Sequence, residues 1–194
     1  MKKKLLILDI DETLVHANEN PENEDWHFEL QKYKVYKRPF LDEFLEAIQN
    51  HFEIAVWSSA SDDYVEEIVK LIFPENYPLK FVWGRSRCTI NRNLYGFDLL
   101  DNYIDYSNHY NYVKVLKKVK KYFGFALEEM LIVDDTPSKS KYNYGNAIYP
   151  KEFTGNTEDN ELKYLSKYLI TLKDVENVRT IEKRNWREIM NESI

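Results

Sequence analysis

Leu5-Leu6-Ile7-Leu8-Asp9-Ile10-Asp11-Glu12-Thr13 runs four consecutive apolar residues straight into an acidic turn. A short apolar run without alternation is the pattern of a strand buried on both faces, and the polar residues that follow mark its carboxyl end. Two further runs, on either side of the middle of the chain, repeat the design. Phe52-Glu53-Ile54-Ala55-Val56-Trp57 closes in Ser58-Ser59-Ala60-Ser61, and Met130-Leu131-Ile132-Val133 closes in Asp134-Asp135. Helical periodicities lie between them. Pro39 opens one that carries Leu41, Phe44, Leu45 and Ile48; Asp62 to Leu71 carries Val65, Ile68 and Val69; a third runs from about Tyr112 to Phe123 with Gly124 as its stop. Strands alternating with helices predict an α/β fold with a mostly parallel sheet and right-handed crossovers.

Two segments break the alternation. Asn18 to Lys37 carries an acidic loop and two alternating stretches, His27 to Leu30 and Tyr33 to Tyr36, and is expected to form a hairpin flap. Residues from about Tyr77 to Asn111 hold short strand-like pieces and many aromatics, the look of a small insertion. The tail from about residue 158 to 194 reads as helical over Glu158 to Leu172, with Leu162, Leu165 and Leu169 inward, and again over Arg184 to Met190. With 194 residues, the whole chain, 1–194, is expected to be one domain.

Composition narrows the class. The chain is 43% hydrophobic and 31% charged, which is ordinary for a globular protein. No apolar run approaches the roughly 18 residues of a membrane span, and charge interrupts the N-terminal apolar stretch too early for a signal peptide, so no membrane association and a cytoplasmic address are expected. Cys88 stands alone, which excludes an internal disulfide and a structural zinc site. A net charge of −6 argues against nucleic acid as a partner. The five glycines are too scattered for a dinucleotide turn or a P-loop, so any phosphate must be held otherwise.

In open α/β sheets ligands sit beyond the carboxyl ends of the strands. Here those ends bring Asp9, Asp11 and Thr13, then Ser58, then Asp134 and Asp135, with Lys114 expected in the first turn of the preceding helix. So many carboxylates repel unless a cation lies among them, and an all-oxygen set favours magnesium. The remaining gap suits a phosphate, balanced by the metal, Lys114 and Ser58. The Asp-x-Asp spacing permits a division of labour. Asp9, rigid at the strand end, attacks phosphorus; Asp11 protonates the leaving oxygen and later activates water, and its backbone carbonyl can turn to the metal. Thr13 is placed to orient this loop and is grouped with the phosphate-binding residues.

Asp9 to His16 resembles the first motif of the haloacid dehalogenase (HAD) superfamily, in the form found in its carboxy-terminal-domain phosphatase, or NLI-interacting-factor-like, branch. Lys37 to Leu45, Ala55 to Ser61, Asn111 to Lys114 and Leu131 to Pro137 resemble that branch in order and spacing, over roughly Leu5 to Leu172. The resemblance implies a HAD-like three-layer sandwich with a flap and a small insertion in place of a full cap domain. It implies Asp9 as phosphoryl-accepting nucleophile, and Asp11 as general acid/base and backbone metal ligand. Ser58 and Lys114 would hold the phosphate. Asp135 would be the third magnesium ligand, and Asp134 would position Lys114 or the metal's water shell. Arg85 lies roughly where relatives carry a substrate-facing arginine, and Arg87 could serve equally. Many relatives have asparagine at the Asp135 position and threonine at the Ser58 position, differences that preserve the chemistry.

The expected activity is magnesium-dependent hydrolysis of a phosphomonoester through an aspartyl-phosphate, on phosphoserine or phosphothreonine of a protein, by a monomer. Alternatives are a small-metabolite phosphatase of the same mechanism and a noncatalytic HAD-like or receiver-like signalling module. A receiver has its acidic pair early and its acceptor on a middle strand, the reverse of the order here. Asp11, whose loss would mark a noncatalytic relative, is present. Blander readings stand beside these: Ser58 as a helix cap, Lys117, Lys118, Lys120 and Lys121 as a solvated face, the four histidines as surface groups, and Arg184 to Arg187 as part of a docking helix.

Overall fold

The computed structural model of the chain describes residues 2–21, 24–90 and 112–192. In chain order the elements are β1 (Lys4–Leu8), β2 (Val15–Asn18), β3 (Phe28–Leu30), β4 (Tyr33–Lys37), α1 (Leu41–Gln49), β5 (Phe52–Trp57) and α2 (Asp62–Ile72). Then follow β6 (Leu79–Trp83), β7 (Thr89–Ile90), β8 (Tyr112–Val113), α3 (Leu116–Phe123), β9 (Met130–Val133), β10 (Ala147–Ile148), α4 (Glu161–Thr171) and α5 (Trp186–Glu192). Five strands make one parallel sheet in the order β10-β9-β1-β5-β6.

The register explains why the acidic turns converge. Leu8 is level with Val56 on one side and Val133 on the other, so β1, β5 and β9 end together. Main-chain bonds carry the alignment one step further: the Asp9 N–H donates to Val133 O (2.9 Å), and the Ser58 N–H to Trp83 O (2.9 Å).

Residues Leu5 to Leu8 are wholly buried and alternate between two cores. Leu6 and Leu8 pack with α1, α2 and α4 residues such as Phe44, Ile68 and Leu165. Leu5 and Ile7 pack with Trp57, Val119 and Phe125 on the α3 face. Full burial of each such side chain stabilises the fold by about 1.5–3 kcal/mol, and the result is the expected α/β sandwich around a parallel sheet. In the tail, Trp186 and Met190 are buried and α5 packs on α4, with the Trp186 indole N–H donating to Tyr149 O (3.1 Å).

Several details differ from the sequence expectations. The flap is a three-stranded antiparallel sheet, β2-β4-β3, because Val15 to Asn18 leaves the acidic turn as a strand paired with β4. The segment expected as an insertion from Tyr77 contributes β6, an edge strand of the main sheet; Phe81 and Trp83 bury against Phe123 and Trp57. Its remainder over 91–111 lies outside the described residues.

The first helix begins at Leu41 and not at Pro39. Arg38 is still tied to the flap, its N–H donating to Leu14 O (3.0 Å), and Phe40 turns the chain sharply in the left-handed region at φ 64°. Lys114 is not in a helical turn either. Tyr112 and Val113 pair with Thr89 and Ile90, which leaves Lys114 extended two residues before α3 begins at Leu116.

Arg38 fastens this assembly. Its fully buried guanidinium donates to both oxygens of Asp159 (2.9 and 2.8 Å), to Thr13 O (3.0 Å) and to Lys151 O (2.7 Å), so it joins the acidic turn to the approach of α4. Removing one partner of a buried pair leaves a desolvated charge uncompensated. Asp159→Asn is therefore expected to lower unfolding free energy by about 3 kcal/mol in urea titration; a loss indistinguishable from that of an exposed-pair variant such as Glu182→Gln would contradict this role.

Candidate active site

Asp9 leaves β1 with its side chain buried. The Ile10 N–H donates to its Oδ1 (2.9 Å), and the Lys114 ammonium lies 2.8 Å from the same oxygen. Oδ2 is buried without a hydrogen bond and faces the Lys139 ammonium at 3.5 Å. Burial alone would raise the Asp9 carboxyl, but the charges of Lys114 and Lys139 and the hydrogen bonds from Lys114 and Ile10 outweigh it and hold the group below the usual carboxylate range.

Asp11 sits only two residues on and in a different environment. The chain reverses after it through Glu12, at φ 61°, with the N–H groups of Leu14 and Val15 donating to Ile10 O. Its carboxylate accepts from the Ser58 hydroxyl (3.1 Å) and the Tyr64 hydroxyl (2.9 Å). Burial, and then the charge on Asp9, push the Asp11 carboxyl upward against those two hydrogen bonds. One strand end thus presents an ionised carboxylate and, beside it, one that holds its proton more tightly.

The turn after β9 completes the cluster. Asp134 is buried; its Oδ2 meets Lys114 at 2.8 Å and its Oδ1 accepts from the Thr136 N–H (2.9 Å). Burial pushes Asp134 up to about 6, with Lys114 opposing and the charge on Asp9 adding to the rise. Burial would lower Lys114, but Asp9 and Asp134 raise it, so its ammonium is fixed between two carboxylates. Asparagine at 143 holds the backbone there, donating to Lys114 O and accepting from the Leu116 N–H (3.1 Å). Carboxylate oxygens of Asp9, Asp134 and Asp135 lie within 4.8 Å of one another.

The structure therefore brings Asp9, Asp11, Ser58, Lys114, Asp134 and Asp135 to one crevice. It does not put every group where the sequence suggested. Thr13 is fully buried, and its hydroxyl donates to Asp135 Oδ1 (3.0 Å) while accepting from the Asp135 N–H (3.1 Å); it orients Asp135 and is not presented to a phosphate. The Asp11 side chain points to Ser58 and Tyr64, apart from the three clustered carboxylates.

Arg85 begins the turn after β6. Its Nε donates to Ser59 O (2.8 Å) and its guanidinium stacks 5.2 Å from the Tyr112 ring, beside the crevice. Arg87 instead lies over Trp83 and Tyr122. A groove of about 500 Å³ lined by Ser61, Asp62, Arg85, Ser86, Ile90 and Tyr112 continues from the Ser58 turn.

Three groups of this centre escaped the sequence reading. Tyr64 was indistinguishable from a packing residue of α2. Asn143 belongs to an unpatterned turn. Lys139, on the short turn Pro137–Ser140, did carry a signal, since it follows Asp135 at the i,i+4 spacing that brings side chains together on a helical turn.

The parallel sheet and its carboxylate-lined edge define an open α/β domain with a ligand crevice at the carboxyl ends of its strands. The family profile described as NLI interacting factor-like phosphatase matches residues 4–179, and the chain belongs to that family. It is 29% identical over 181 residues to CTD small phosphatase-like protein 2 of Dictyostelium discoideum, covering 90% of this chain and 28% of that protein. It is 27% identical over 186 residues to the human carboxy-terminal domain RNA polymerase II polypeptide A small phosphatase 1, covering 92% and 63%. The chain thus spans less than two thirds of either relative. The solved structure of Fcp1, an essential RNA polymerase II CTD phosphatase, shares the fold with a TM-score of 0.64 at 15% identity, over 92% of this chain and 69% of that one. The cluster of Asp9, Asp134 and Asp135 is consistent with a HAD active site. Among the described residues no helix is long and apolar enough to cross a membrane.

Proposed function

We propose that this chain hydrolyses phosphomonoesters through an aspartyl-phosphate on Asp9, with phosphoserine or phosphothreonine of a protein as substrate. The observation that carries the reading is the contrast between two carboxylates two residues apart: Asp9 lies 2.8 Å from the Lys114 ammonium and 3.5 Å from that of Lys139, whose charges outweigh burial and hold it below the usual carboxylate range, whereas Asp11 meets the hydroxyls of Ser58 and Tyr64 and burial pushes it upward. Such a pair supplies a nucleophile and a general acid at one strand end.

The Asp9 carboxylate attacks phosphorus as the ester P–O bond breaks, and the departing oxygen takes a proton from Asp11. The Asp11 carboxylate then receives a proton from water. The hydroxide so formed attacks phosphorus, the P–O bond to Asp9 breaks, and orthophosphate leaves with Asp9 regenerated. Lys114 and Ser58 border the phosphoryl position, and Arg85, tied to the Ser58 turn, flanks it.

Magnesium fits the donor set: three carboxylates converge, and the buried Asp9 Oδ2 has no hydrogen-bond donor. Asp9, Asp134 and Asp135, with the Asp11 backbone carbonyl, would hold it. When bound it would draw charge from the phosphoryl oxygens. The protein substrate is supported by the names of the CTD phosphatases the chain resembles and by the groove beside the Ser58 turn.

A panel of phosphopeptides, sugar phosphates and nucleotides, assayed with magnesium and with chelator, tests the substrate class. Phosphopeptide turnover lost on chelation is expected; turnover confined to sugars or nucleotides would overturn the protein-substrate reading. Asp11→Asn should still accept the phosphoryl group, slowly, and then stall, with steady-state turnover reduced about 10²–10⁴-fold, the usual range for a lost acid/base. Unaltered turnover would remove Asp11 from its double role.

A further inference from the structure

The crevice contains two lysines with opposite mechanical characters. Lys114 is fully buried and lies 2.8 Å from Asp9 and from Asp134. Lys139 is 24% exposed at its side chain and faces Asp9 Oδ2 at 3.5 Å, longer than a hydrogen bond. Its backbone is nevertheless fixed: the Lys139 N–H donates to Thr136 O (3.1 Å) and its carbonyl accepts from the Lys114 N–H (2.8 Å). A fixed root, a flexible four-carbon stem and a loosely held ammonium describe a charge that can leave without disturbing the fold.

We propose that Lys139 is a tethered rival of the divalent metal: its ammonium rests against the Asp9 side of the carboxylate cluster as a counter-cation, and a metal ion binds by displacing it. This rests on the proposed function only in taking the cluster as the metal's site. The Asp9 carboxylate that Lys139 faces belongs to the cluster in which oxygens of Asp9, Asp134 and Asp135 lie within 4.8 Å of one another, so the ammonium offsets the charge of the cluster and not of one partner alone. Without a counter-ion these carboxylates repel one another at the ends of two adjacent buried strands. Lys139 relieves that repulsion in the metal-free protein and, by the same interaction, weakens the hold on the metal. The sequence gives the device a cheap route, since a single i,i+4 lysine on the turn after Asp135 is sufficient.

Manganese binding to the full chain, followed by calorimetry or electron paramagnetic resonance, tests the proposal without reference to catalysis. Lys139→Met should bind manganese roughly tenfold more tightly, the scale expected when one partly screened charge is removed a few ångströms from a binding site. Lys139→Arg should stay near wild type, as should Lys141→Met on the exposed end of the same turn; Lys139→Gln replaces the methionine variant if that one does not fold. Metal-free Lys139→Met should melt lower than wild type yet gain more on adding manganese, an opposition that a purely structural lysine would not produce. Unchanged or weaker manganese binding in Lys139→Met would overturn the proposal. Orthophosphate release by the wild type is scored separately, so a chain that binds metal in the expected order but releases no phosphate would refute the phosphatase reading alone.

Discussion

Asp9→Asn is expected to fold as the parent does and to release orthophosphate at least on the order of 10⁴ times more slowly, as befits loss of a nucleophile. Asparagine keeps the size of the side chain and can accept the hydrogen bond from the Ile10 N–H, so the turn after β1 retains its geometry. Lys114 keeps its ion pair with Asp134, and one negative charge leaves a cluster that has several. The amide lacks the anionic oxygen required for attack on phosphorus, while the protein envelope is unchanged. Steady-state phosphate release together with a thermal melt checks both halves. A variant that unfolds would show that the carboxylate is needed for the fold, and one that turns over normally would remove Asp9 from the chemistry.

Replacement of Lys114 by methionine is expected to have the largest effect on stability. The ammonium is the direct partner of both Asp9 and Asp134, and all three groups are buried. Its loss strands two carboxylates, and breaking a buried pair costs about 3–5 kcal/mol. For a chain of this size that corresponds to a fall in melting temperature of about 6–20 °C.

The pH dependence gives an independent signature. Without Lys114 the folded-state pKa of Asp9 rises from below its unfolded value to above it, and that of Asp134, already pushed up to about 6, rises further, so the native state binds more protons than the unfolded state. The variant's remaining stability is then greatest in the acid range, below about pH 4, and is lost as pH rises towards neutrality. Melts at acid and neutral pH should show Lys114→Met losing stability across this interval relative to wild type. A parallel pH response in the two proteins would contradict the buried-pair account.

What was legible in the sequence was whatever a few neighbouring residues decide. Leu5 to Leu8, Phe52 to Trp57 and Met130 to Val133 announce themselves because a strand buried on both faces reads as a near-continuous apolar run, broken here only by Glu53 near the start of β5, and the acidic or hydroxyl residue that follows marks the edge of the core. From that pattern came the parallel sheet and the meeting of Asp9, Asp11, Ser58, Asp134 and Asp135. β6 was harder, because Lys80 interrupts an edge strand whose outer side is exposed. The periodicity of α3 extends backward through Tyr112 and so predicts a helical turn at Lys114; the competing pairing with β7 is a tertiary contact that no local window contains.

Groups joined across long separations were invisible for the same reason. Arg38 and Asp159 stand 121 residues apart, and Tyr64 stands 53 from Asp11. Thr13 illustrates a different shortfall. Its importance to the loop could be read from the motif, but the partner of its hydroxyl, Asp135, depends on how closely β1 and β9 end together.

The central claim is that phosphate leaves its ester by way of Asp9. Its most direct test is to mix the chain with a ³²P-labelled phosphopeptide and magnesium, quench in acid, and locate the label by proteolysis and mass spectrometry. A hydroxylamine-labile phosphoryl group on the peptide containing Asp9, accumulating in Asp11→Asn and absent from Asp9→Asn, is predicted. Release of orthophosphate with no label ever found on Asp9, or with the label on another residue, would contradict the account.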